Sequence, residues 1–123
     1  LGFKGRVHFQ ISPCINDELD KLSAIDEKSE LLSNILKVID KAIHTNYKIY
    51  PGNYIAYDIL DGQKRFADRH TNKDQTTFAN YLNSQLAKIP DVTSKDKDFL
   101  KERILSMYAN PLKNQLIALG QEA

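Results

Sequence analysis

The stretch between Glu27 and Asn46 constrains this chain more than any other. Leu31, Leu32, Ile35, Leu36, Val38, Ile39, Ala42 and Ile43 recur with the period of a helix and fall on one broad face. A face that wide has to be covered, so the fold must be built by packing helices. Shorter pieces repeat the theme. Asp17 to Leu22 is a turn of helix. Asn53 to Leu60 reads as a brief helix ended by Asp61-Gly62, where glycine can take the left-handed conformation. Thr71-x-x-Asp74 is a capping-box start with Asp in the place of Glu or Gln. The helix behind it directs Phe78, Tyr81, Leu82, Leu86 and Ile89 inward and stops at Pro90. Ser94 or Asp96 caps a further helix bearing Phe99, Leu100, Ile104, Met107 and Tyr108. Asn110-Pro111 breaks the chain and restarts it with Pro at the first helical position. Leu112, Leu116 and Leu119 form the last apolar stripe.

One segment obeys a different period. Arg6 to Ile11 alternates around Val7, Phe9 and Ile11, which is the pattern of a strand, and Pro13 stops it. One strand makes no sheet. It needs a partner outside this sequence or in a second copy. The chain also opens without Met, almost directly into that strand, so a piece of a longer protein is expected. The expected fold is mainly α: a small domain of about five helices with one N-terminal β-strand left over from a truncated α/β core. Residues 1-15 would be the terminal strand and residues 16-123 the helical domain.

A chain of 123 residues suits one compact domain, and a formal net charge of +1 gives no field that argues for nucleic acid. No run approaches the roughly 20 apolar residues that cross a bilayer. Cys14 is the single cysteine, so no internal disulfide forms, and it reads as a small, inert, partly buried side chain. His8, His44 and His70 are far apart in sequence, and no metal-ligand spacing appears.

Acid-base candidates are few. His70 and Asp74 lie four apart, yet a solvated helix start accounts for both. Asp58 and Asp61 flank a glycine turn, and turn formation and solubility account for them. Residues 61-73 read DGQKRFADRHTNK and gather Lys64, Arg65, Arg69 and Lys73 around Phe66. Such a loop can touch phosphates of a cofactor or a lipid head group, or it can be a solvated connector whose cations face Asp61, Asp68 and Asp74. Tyr47, Tyr50, Tyr54 and Tyr57 cluster about Pro51-Gly52. Proline disfavours helix at the preceding Tyr50, so Tyr47 ends one helix, and Tyr54 and Tyr57 open the next. Rings on both sides of a helix corner pack into it and send their hydroxyls outward, which makes the four a structural aromatic corner before a ligand platform.

The stretches FKGRVHFQISPCINDEL, NYKIYPGNYIAYDIL, GQKRFADRHT and ERILSMYANPLKNQL resemble the C-terminal extension of a Bacteroidetes-type subgroup of glycerolipid acyltransferases, sometimes called putative hemolysins. GRVHFQISPCI is similar to the strand that follows the catalytic core in that family. The family's catalytic motif is a His, four residues and an Asp, its histidine acting as general base on the lysolipid hydroxyl. Five residues after His8, His44 and His70 stand Pro13, Ile49 and Gln75, so the motif is absent and no catalytic residue carries over. The resemblance implies a parent that moves an acyl chain from acyl-CoA or acyl carrier protein to a lysolipid. It would be peripheral on the inner face of the cytoplasmic membrane. This chain would be its non-catalytic C-terminal domain, with no cofactor of its own. The implied partners are the parent's catalytic domain, an anionic membrane surface and, through the strand, a second copy. The alternative is a free-standing helical interaction module.

Overall fold

A computed structural model of the chain describes residues 5-90 and 93-123. It is mainly helical. The elements are α1 (Asn16–Asp20), α2 (Lys28–Asn46), α3 (Pro51–Asp61), a single 3-10 turn (Ala67–Arg69), α4 (Asn72–Ala87) and α5 (Ser94–Ala118). They fall into two compact units: residues 5-48 with 115-122, and residues 49-114.

In the first unit α1 packs on α2. The Glu27 side chain caps α2 by accepting the Glu30 N–H at 2.7 Å. The other end is closed from far along the chain. The Gln115 side-chain amide donates to the carbonyls of His44, Thr45 and Tyr47, at 3.1, 3.3 and 2.9 Å. Helix ends leave their last carbonyls without intrahelical partners, and here one side chain supplies them. No residue of α2 is buried. Leu31, Ile35, Val38, Ile39 and Ala42 are half-covered, while Leu32, Leu36 and Ile43 are exposed.

The expected strand at residues 6-11 is absent among the described residues. Residues 6-11 carry no secondary structure, and Val7, Phe9 and Ile11 are 73%, 89% and 91% exposed. The alternation is real, but strand geometry needs a second strand to accept its backbone groups, and no strand occurs among the described residues. Residues 1-4, the start of that expected segment, lie outside the described residues. Cys14 is exposed rather than partly buried.

The second unit holds most of the core: Ile55, Ala56 and Tyr57 of α3, Phe78 and Leu82 of α4, and Leu105, Ala109 and Leu112 of α5. Helix α3 starts two residues earlier than its apolar pattern, because Pro51 occupies the first helical position and Tyr50 the cap. The Tyr50 N–H donates to Asn53 Oδ1 at 2.8 Å, and the Asn53 amide donates onward to the Tyr108 carbonyl at 2.7 Å. This buried asparagine therefore ties α3 to α5. Gly52 lies against the Phe78 ring: a Cβ there would stand 3.3 Å from Cδ2. Gly62 ends α3 in the left-handed region with φ 71°, as its sequence leads one to expect.

Two expectations fail in α5. The helix does not break at Asn110-Pro111; it runs through Pro111. Proline removes one helical hydrogen bond, but interrupting the helix would unseat Leu105, Ala109, Leu112 and Leu116, all buried and spaced four, three and four residues apart. The inward stripe also differs in phase. Phe99 and Met107 are 57% and 60% exposed, and Leu119 is exposed as well. In α4, Phe78 and Leu82 are buried, Leu86 is half-covered and Tyr81 is exposed, and Ile89, beyond the helix end, is exposed as well.

Candidate functional site

The residues with chemical potential gather in the second unit, where the loop after α3 returns to start α4. The turn at Gly62 sends the chain back so that residue 66 lies against α3. The Asp58 carboxylate accepts the Phe66 N–H, with Oδ1 at 3.2 Å and Oδ2 at 3.1 Å, while the Asp58 carbonyl accepts the Gly62 N–H at 3.0 Å. Asp58 thus fixes both ends of the loop's first turn. It is not a solvated turn residue, since its side chain is only 10% exposed.

His70 meets the same carboxylate. Its Nε2 lies 3.7 Å from Asp58 Oδ2, and its side chain is 6% exposed. That separation is too long for a good hydrogen bond, and Nε2 has no other polar partner. The Gln75 amide nitrogen lies 3.2 Å from Nδ1; when it donates there, the ring proton sits on Nε2 and faces the carboxylate. His70 is therefore a buried partner of Asp58, and not part of a solvated helix start with Asp74. Asp74 keeps the capping role that its spacing from Thr71 implies. The Thr71 N–H and hydroxyl donate to its Oδ2 at 2.8 and 2.9 Å, and the Thr71 hydroxyl accepts the Asp74 N–H at 3.1 Å. Those two donated bonds hold the Asp74 carboxyl below the usual aspartate range.

The four tyrosines differ in burial. Tyr57 is 4% exposed, Tyr50 and Tyr54 are half-buried, and Tyr47, which belongs to the first unit, is 49% exposed. The ring that completes the cluster is Phe66. Its centroid stands 5.2 Å from that of Tyr54 and 5.4 Å from that of Tyr57, the latter edge to face. Tyr57 is thus a core ring, Tyr54 and Tyr50 are partly covered, and Tyr47 is exposed.

The four cations of the loop separate by environment. The Arg65 guanidinium lies over the Phe66 ring, 5.1 Å from its centroid, and donates to the Tyr57 hydroxyl at 3.4 Å. The Arg69 guanidinium lies over Tyr54 at 6.0 Å, and its Nε is 3.7 Å from the exposed carboxylate of Asp68. Lys64 and Lys73 are exposed at the two ends of the loop. Sequence reasoning finds these four and misses the Asp58-His70 pair. The two residues are twelve apart, and only the left-handed turn at Gly62 brings them together.

The arrangement can orient one imidazole with one carboxylate. Among the described residues no three His, Cys, Asp or Glu side chains cluster as metal ligands, and no helix is long and apolar enough to cross a membrane. Comparison with known proteins returns no matching family model, no matching curated protein and no matching solved structure.

Proposed function

We propose that the chain is a non-catalytic helical accessory domain of a membrane-associated glycerolipid acyltransferase, and that it docks onto the catalytic domain through α2. The observation supporting a docking role is that a nineteen-residue amphipathic helix has no buried residue. Leu32, Leu36 and Ile43 keep about half their surface in water, so covering them would add roughly 1 kcal/mol each. The resemblance of residues 3-19, 46-60, 62-71 and 102-116 to the acyltransferase extension supplies the identity of the parent. Its donor would be acyl-CoA or acyl carrier protein, its acceptor a lysolipid, and its place the inner face of the cytoplasmic membrane. The chain alone would leave lysophosphatidic acid unacylated.

The same uncovered helix also favours a second reading, a free-standing interaction module whose partner is not an enzyme. One experiment separates them. In the full-length gene product, Leu32→Asp with Leu36→Asp should release the helical domain to limited proteolysis and lower acyl transfer to lysophosphatidic acid. A full-length product without the His-x4-Asp motif, or a double variant with intact activity and proteolytic pattern, refutes the accessory-domain reading.

A further inference from the structure

Helix α2 leaves one side in water, and the spacing along that side has a symmetry of its own. Leu32, Leu36, Ile39 and Ile43 fall on one narrow stripe of the helix. Leu32, Leu36 and Ile43 are 56%, 51% and 53% exposed, and Ile39 is half-covered. Leu31, Ile35, Val38 and Ala42 lie on the adjoining side and are all half-covered. The intervals along the stripe are four, three and four residues. That is the spacing of a two-helix seam, and it reads the same in either direction.

A stripe with this symmetry is complementary to a copy of itself. Turned end over end about a point between Lys37 and Val38, α2 places Leu32 opposite Ile43 of the second copy, and Leu36 opposite Ile39 of the second copy. Every apolar residue of the stripe then meets another, and a two-fold axis repeats each layer, as an isologous interface requires. The charges favour this direction. Asp40 flanks the stripe, and Lys37 of the second copy lies on the same flank, about 3 Å along the axis from the position opposite it. Neither side chain is in an ion pair among the described residues. A parallel arrangement brings no such opposite charges together and sets like helix ends side by side.

We propose that α2 pairs with α2 of a second copy of this chain, antiparallel, through Leu32, Leu36, Ile39 and Ile43. The pairing names the partner in the interaction-module reading above and rests on that reading. A catalytic domain seated on the same stripe would exclude the second copy, so the pair belongs to the free chain. Three half-exposed side chains and one half-covered one per copy make a small interface, below the roughly 1,200 Å² of stable complexes. The pair is therefore a weak one, with a Kd between about 10 µM and 1 mM.

The test is sedimentation equilibrium of the purified chain from about 5 µM to 2 mM, over which monomer should give way to dimer. Leu36→Asp sets two carboxylates against the central layers and should weaken association about tenfold or more. Lys41→Gln, on the far side of the helix, should change it by less than about threefold. An unchanged far-UV spectrum of the dilute variants shows that α2 is intact. Spin labels read the direction, in a Cys14→Ser background because Cys14 is exposed. In the antiparallel pair a label at Lys37→Cys lies about 2 Å along the helix axis from its copy, and one at Lys28→Cys about 29 Å. In a parallel pair the two separations are equal. A monomer at every concentration, equal label separations, or a Leu36→Asp variant that associates like the wild type overturns the pairing. The interaction-module reading falls on a different result, loss of acyl transfer in the full-length product carrying Leu32→Asp with Leu36→Asp.

Discussion

Replacing Asp58 should loosen the loop that follows α3. Its carboxylate accepts the Phe66 N–H at 3.2 and 3.1 Å and stands 3.7 Å from His70 Nε2. In Asp58→Ala the Phe66 N–H loses a charged acceptor, a bond worth about 1.5–3 kcal/mol. The His70 contact is too long to count as a full bond, so it adds less. Phe66 is only half-buried, and water can partly replace the lost acceptor. An overall loss of about 2 kcal/mol follows, within the 1–3 kcal/mol cost of an unpaired buried group. Asp58→Asn keeps one oxygen toward Phe66 and should cost about 1 kcal/mol. A unit of this length has only about 3–10 kcal/mol in all, so the loss is readable. Urea unfolding followed by the near-ultraviolet signal of the tyrosines reports the unit, and hydrogen exchange at the Phe66 amide reports the contact. If Asp58→Ala unfolds with the wild type and its Phe66 amide is equally protected, the carboxylate does not anchor the loop.

Other consequences follow from the same structure. Tyr57→Ala should cost about 3–5 kcal/mol in urea melts, and Tyr54→Ala clearly less, because only the first ring is fully buried; equal losses would contradict the burial. Pro111→Ala should stabilise the chain by about 1–3 kcal/mol, since α5 already runs through that position and alanine restores the missing N–H; a lower urea midpoint would mean that the helix needs its proline. Burial, together with the hydroxyl bond to Tyr81 at 2.8 Å, pushes the Tyr108 phenol up to about 12. A raised acid favours the folded state below the ordinary tyrosine value, so this contribution is intact up to about pH 10 and fades as pH rises toward 12. Tyr108→Phe should flatten the alkaline fall of the urea midpoint, and an unchanged slope would exclude Tyr108 as its source.

Local rules carry furthest where the chain's own neighbours decide the outcome. The α2 pattern, the Thr71-Asp74 box and the glycine end of α3 depend on residues at most a turn or two away, and all three form as their spacing implies. Pro111 shows the limit. A proline read locally ends a helix, but four buried residues on one stripe of α5 outweigh one lost hydrogen bond. Once the helix is continuous, that stripe replaces the Phe99-Met107 phase, which had looked apolar only in a shorter segment. The seating of Phe66 against Tyr54 and Tyr57 and the Asp58-His70 pair were illegible for another reason. Neither has periodic spacing, and both depend on the direction in which the loop leaves Gly62. The segment at residues 6-11 has strand periodicity without a second strand, and periodicity alone supplies no hydrogen-bond partner.

Gln115 adds a consequence for the order in which this protein can be made. The carbonyls at the end of α2 receive their partner from a side chain that leaves the ribosome only after the whole second unit has been synthesised. The second unit is continuous in sequence, so it can mature while translation proceeds. The first is assembled from both ends of the chain and must wait, its apolar helix half-uncovered. During that interval the uncovered face of α2 is available to a chaperone or to a neighbouring nascent chain. A stop codon just before position 115 would leave that helix permanently without its closure.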